Sequence, residues 1–236
     1  LFVDWCLLAG GTVIEHQPDG TWTPTFNDSA GVRALTFLKR LRWDAGCLAD
    51  LNAPGRSAVD DFCKGRVGML WGVADHVLNA IVSSGRPLSD FTLAPLPAGP
   101  DGHFSGQVSV SAIFVNAFAA AEERDAACRF IKERYGRRMR TRCSEKLWEH
   151  GVVDNWPSVY RDMTPRETGV DLPASWFHTL VRSVAHSRVD PFGLGWDAET
   201  FLSPAVRRVL TDPHADPQEE LDCAARLAMR ASTASV

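Results

Sequence analysis

Residues 95–102 read Pro-Leu-Pro-Ala-Gly-Pro-Asp-Gly. Each proline removes a backbone donor and fixes φ, and each glycine loosens the chain, so neither a helix interior nor a central strand survives such a run. This is the strongest composition break in the chain, and it reads as a crossover or domain boundary. Before it, Pro18-Asp19-Gly20 sits between the β-prone pieces Val13-Ile14 and Trp22–Phe26 and predicts a hairpin. A helix follows, capped by Asp28 or Ser29, with Ala34, Phe37, Leu38, Leu41 and Ala45 on its apolar face and Gly46 as its stop. A second short helix is expected over Ser57–Lys64, then a buried strand over Val67–Trp71, a helix from Ala74 to about Ser83, and a strand over Phe91–Ala94. After the loop, Val108–Val115 reads as a strand, and Ala119 to about Val153 carries a helical pattern. Further helices are expected over 172–187, 197–210 and from Pro217, the last with Leu221, Ala224, Ala225 and Ala228 on one face. Mixed strands and long helical stretches place the chain in the α/β class.

At 236 residues and 25.9 kDa the chain makes one large domain or two small ones and can bury a sizeable core. Apolar residues make up 45% and the net charge is only −4, which rules out disorder as the dominant state and argues against a general nucleic-acid or membrane-surface binder. The basic run Arg134, Arg137, Arg138, Arg140 and Arg142 then reads as a solvated helix face. No apolar run approaches a membrane span. Tryptophan outnumbers tyrosine eight to two, which suits core filling or a stacking surface for a sugar. The six cysteines show no CxxC or zinc-like spacing, so no metal site is expected; Cys128 and Cys223 are expected to be buried in helices, and Cys47 and Cys63 unpaired. No phosphate-binding glycine loop, zinc-protease motif or nucleophile elbow is present, and the seven histidines are dispersed. Asp60 and Asp61 are adjacent, which on a helix points them apart and suits one solvated and one helix-end acid better than a dyad. The start at Leu1, with no initiator Met and no signal-like leader, reads as a fragment or a processed form.

The order of several short segments carries a resemblance. Leu7–Gly11, Phe26–Leu38, Asp61–Met69, Ala94–Gly102, Ala126–Lys132, Trp156–Tyr160 and Pro217–Ala225 follow one another as do the corresponding segments of a known family. The chain resembles the C-terminal portion of the extracellular solute-binding proteins, maltose-binding-protein-like, that deliver sugars to ABC importers. The resemblance implies a periplasmic-binding-protein-like (type II) two-lobe α/β fold with the N-terminal lobe largely missing. It places 1–104 in the C-terminal lobe, 105–153 in the N-terminal lobe and 154–236 back in the C-terminal lobe.

It also implies the site. Asp4 and Trp5 precede the GG segment, Trp71 or Asp75 takes the place of a tryptophan after Gly72, Gln107 stands where the family has an aromatic, and Trp196 matches an aromatic near the penultimate helix. Stacking by Trp5, Trp71 and Trp196 and hydrogen bonds from Asp75 and Gln107 would hold a sugar or oligosaccharide in an interlobe cleft. The implied protein is not an enzyme, needs no cofactor, binds no nucleic acid, and hands its ligand to two membrane permease subunits from the periplasm or, as a lipoprotein, from the outer membrane face of the cell. Two other expectations stand beside it: a small hydrolase or transferase using Asp75 and His76, and a truncated remnant without function.

Overall fold

The computed structural model describes residues 2–48, 57–72, 75–102, 106–108, 113–154, 160, 162–189 and 198–234. In chain order these hold helix α1 (Phe2–Leu8), strands β1 (Ile14–His16) and β2 (Trp22–Pro24), helices α2 (Ser29–Trp43), α3 (Ala58–Cys63) and α4 (Asp75–Ser83), and strand β3 (Gln107–Val108). Helices α5 (Ala121–Tyr135), α6 (Arg137–Trp148) and α7 (Ala174–Ala185), strand β4 (Arg188–Val189), and helices α8 (Ala198–Thr211) and α9 (Pro217–Ala234) follow. Strands β1 and β2 pair antiparallel and β3 and β4 pair parallel, each as a sheet of two. The described residues are thus mostly helical, and the α/β class holds only in this loose sense.

The chain divides into two compact units, and neither is continuous in sequence. One takes Leu1–Arg56, Leu96–Ser109 and Ser183–Val236; the other takes Ser57–Pro95 and Val110–Arg182.

In the first unit, α1 packs on α2, α2 on α8 and α9, and α8 along α9. The core is Cys6 and Leu7 of α1, Val13, Phe26, Leu35 and Leu38 around α2, Leu202 and Val209 of α8, and Leu221, Ala224, Ala225 and Ala228 of α9. That last set is the face expected from the periodicity; its alanines keep the helix surface low against α8. The expected hairpin is present, with Ile14 opposite Pro24 and His16 opposite Trp22. Asp19 closes its turn by accepting from the Thr21 amide at 2.9 Å and the Thr21 hydroxyl at 2.6 Å. Asp28 caps α2, accepting from the amides of Ala30 (2.9 Å) and Gly31 (2.8 Å). A side chain at position 31 would lie 1.8 Å from the Phe26 carbonyl oxygen, so only glycine lets the turn press against the helix start.

The second unit has its own core: Cys63, Val77, Leu78, Ile81, Phe91, Val153, Val170, Leu172, Trp176 and Phe177. The helix expected over Ser57–Lys64 is α3, and Ser57 caps it, accepting from the Asp60 N–H at 3.3 Å. Asn79 acts like a piece of strand: its amide donates to the Val153 carbonyl at 2.9 Å and its oxygen accepts from the Val153 N–H at 2.7 Å. Thr141 of α6 donates to the Glu167 carbonyl at 2.7 Å and holds the Pro165–Thr168 turn against that helix.

Several expectations are corrected. Residues 67–71 form no strand: the amides of Arg66 and Val67 bond back to the Asp61 carbonyl, which turns the chain away, and Met69 is 90% exposed. Residues 91–94 are irregular, because Phe91 closes the Leu88–Asp90 turn through its own N–H. Of the strand expected at 108–115, Val108 pairs in β3, 109–112 lie outside the described residues, and 113–115 are irregular. The long helix expected over 119–153 breaks at Gly136, whose extended backbone separates α5 from α6. On α2, Phe37 faces outward while Ala30 and Leu35 face the core, and Ala45 lies exposed beyond the helix end. Cys128 and Cys223 are exposed rather than buried: α5 buries none of its residues, and the buried face of α9 runs through Leu221, Ala224, Ala225 and Ala228, away from Cys223. Arg140 is not part of a solvated face: it is 4% exposed. Asp60 is the solvated acid, paired with Lys64 at 3.7 Å, while buried Asp61 receives the guanidinium of Arg66, with Nε at 2.7 Å. Helix α1 itself has no counterpart among the elements expected from the sequence.

Candidate functional site

The expected site residues fall in both units. Asp4 and Trp5 lie on α1 and Gln107 on β3, all in the first unit. Trp71 follows α3 in irregular chain, half-buried, and Asp75 is the first residue of α4; both belong to the second unit. Trp196 lies outside the described residues.

Within the first unit the structure joins two of them, Asp4 and Gln107, with Trp5 next to Asp4 in the chain. The Gln107 N–H donates to Asp4 Oδ1 at 3.0 Å, so a side chain from α1 pins the main chain of β3. Strand β3 is held on its other edge by β4, with Gln107 opposite Arg188 and the Arg188 N–H on the Gly106 carbonyl at 2.8 Å. Next to Asp4, the Trp5 ring meets Phe37 of α2 with centroids 4.8 Å apart and planes inclined at 46°. Trp5 is half-buried and Phe37 is 40% exposed, so together they form an aromatic edge that solvent reaches. Phe37 was expected in the core; its place beside Trp5 follows from the α1–α2 crossing, which no sequence spacing encodes.

The 96–102 loop is anchored to the same helix. A side chain at position 99 would lie 1.7 Å from the Leu8 carbonyl oxygen, so glycine alone permits the approach. Arg33 of α2 adds a clamp, donating to the Ala9 carbonyl at 2.8 Å and reaching Asp101 at 3.5 Å. The buried Cys6, one position beyond Trp5, donates to the Thr12 carbonyl at 3.5 Å. Burial, reinforced by the negative charge of Asp28, pushes its thiol up to about 12, so it stays protonated and has no nucleophilic role at neutral pH.

The arrangement offers a carboxylate, a half-buried amide side chain and an aromatic edge, which suits reversible recognition of a polar ligand with an apolar face. Asp75 and His76 do not form a comparable group. They stand at the start of α4, and His76 is exposed. Shallow depressions are present on the described surface. One in the first unit is lined by Arg208, Glu220, Asp222 and Arg226, and one in the second by Leu88, Arg166, Val170 and Leu172; neither contains an expected site residue. No protein-family model matches the chain, and no curated protein matches it significantly.

Proposed function

We propose that the chain is the ligand-capturing part of a solute-binding protein of an ABC importer, with a two-lobed periplasmic-binding-protein-like fold. Its ligand is a sugar or oligosaccharide, held without covalent chemistry and passed to the permease subunits on the outer side of the membrane. Asp4 and Gln107 supply hydrogen bonds and Trp5 supplies the stacking surface. Trp71, Asp75 and Trp196 complete the site in this reading.

The observation that supports it is the discontinuity of both units: the chain leaves and re-enters each one rather than finishing it. Two-lobed binding proteins that close around a ligand are built this way, with connections shared between lobes. The joining of Asp4 and Gln107 in one unit, with Trp5 next to Asp4, agrees with it.

The test is titration of the purified 236-residue chain with a panel of mono- and disaccharides, read by calorimetry and thermal shift. A ligand at 100 times its Kd stabilises the folded state by about 2.7 kcal/mol. The expected result is saturable stabilisation that is lost in Trp5→Ala with the helical content kept. Absence of binding across the panel would overturn the sugar reading. Appearance of a product, abolished in Asp75→Ala, would replace the binding protein with an enzyme.

A further inference from the structure

None of the 15 residues of helix α5 is buried. It nevertheless carries Phe130, 65% exposed, and follows Phe118, 98% exposed. Large exposed rings on a soluble surface mark a place where another surface docks. The sequence of α5 says which surface fits.

Glu123, Ala127, Phe130 and Arg134 are spaced four, three and four residues apart, the seam spacing of paired helices. Laid antiparallel against a second copy about a two-fold axis between Cys128 and Arg129, this seam is complementary to itself. Phe130 of one chain falls opposite Ala127 of the other, a large ring over a small residue. Glu123 falls opposite Arg134. A two-fold axis repeats each of these pairs, so two opposite-charge contacts flank two ring-on-alanine contacts. A parallel pairing sets Glu123 on Glu123 and Arg134 on Arg134 and is disfavoured.

The present partners of these charges do not prevent the pairing. Arg134 lies over its neighbour Tyr135 at 5.5 Å. Glu123 accepts from the Ala120 N–H at 3.0 Å, an exposed contact. Exposed pairs of this kind hold their side chains weakly.

We propose that α5 is a self-association surface: two copies of the chain dock antiparallel along the Glu123–Ala127–Phe130–Arg134 seam. One helix pair lies at the small end of specific interfaces, so the dimer is reversible and forms in the micromolar range or weaker.

Sedimentation equilibrium of the 236-residue chain over a hundredfold concentration range tests it. The expected result is a monomer–dimer equilibrium that weakens with salt and vanishes in Phe130→Asp, a substitution at an exposed position that leaves the far-UV circular dichroism unchanged. Glu123→Arg and Arg134→Glu should each give monomers, because each sets like charges opposite one another twice. Mixed in equal amounts, these two variants should associate again, since every seam contact between them is then a pair of opposite charges. The double variant Glu123→Arg/Arg134→Glu should dimerise by itself. A chain that is monomeric throughout, an association that survives Phe130→Asp, or two single variants that stay apart when mixed would overturn the proposal.

Discussion

At the scale of single residues, Cys6 makes the clearest commitment. Its thiol is held in an apolar setting, and the fold favours the protonated form over the thiolate. The unfolded chain releases that proton near 9.0, and the folded chain only near 12. The unfolded state therefore binds fewer protons through this window, and stability falls as pH rises across it. Below 9.0 the contribution is fully present. Chemical denaturation between pH 8 and 11 should show a decline in stability that is reduced in Cys6→Ala; an equal decline in both proteins would show that other groups cause it. Thiol labelling reads the same burial. Cys47, Cys128 and Cys223 are exposed and should react at once in the folded protein, whereas Cys6 and Cys63 should react only after denaturation. Gly99 is a second such residue. With the Leu8 carbonyl 1.7 Å from where its Cβ would be, Gly99→Ala must move either the loop or the end of α1. The expected cost is about 1–3 kcal/mol, measured by urea denaturation, and a neutral effect would mean the loop is not anchored there.

At the scale of elements, the helices are the part of the fold that the sequence discloses. Helix α2 has a cap whose loss has a known size: Asp28→Ala removes the acceptor of two amides and should cost about 1 kcal/mol. Leu35, fully buried between α2 and its neighbours, should cost about 2–5 kcal/mol as alanine. If Leu35→Ala costs less than Phe37→Ala, the buried face has been assigned wrongly. The cap was within reach of the sequence, since a capping aspartate is a local signal; Leu35 was not, because the expected apolar face ran through the exposed Phe37 instead. Helix α9 was legible from its apolar period, Leu221 to Ala228. The strands were not. Residues 67–71 have a strand-like composition, but a strand exists only if a partner pairs with it, and here the Asp61 carbonyl takes the amides of Arg66 and Val67 at the segment's entry. Helix α1 went unread because seven residues offer too little period to detect. The Asp4–Gln107 bond joins positions 103 residues apart, and the Trp5–Phe37 contact depends on how two helices cross. Neither leaves a mark in either segment alone.

At the scale of the whole chain, the consequence to test is the possession of two cores. One gathers α1, α2, α8 and α9 around Leu35 and Val209; the other gathers α4, α7 and the segments near Phe91 and Val153 around Leu78. The two clusters share no residue. Cooperative unfolding follows shared burial more closely than it follows chain continuity, so each unit should open as its own body although its segments are interleaved in the sequence. Leu35→Ala and Leu78→Ala are matched probes, since both remove a fully buried leucine. Hydrogen exchange read peptide by peptide should then separate them. Leu35→Ala should speed exchange in α2, α8 and α9 and spare α4 and α7. Leu78→Ala should do the reverse. Faster exchange in all of these helices from either substitution would mean that the chain folds as a single cooperative body. The discontinuity that supports a two-lobed binding protein would then lose its energetic counterpart.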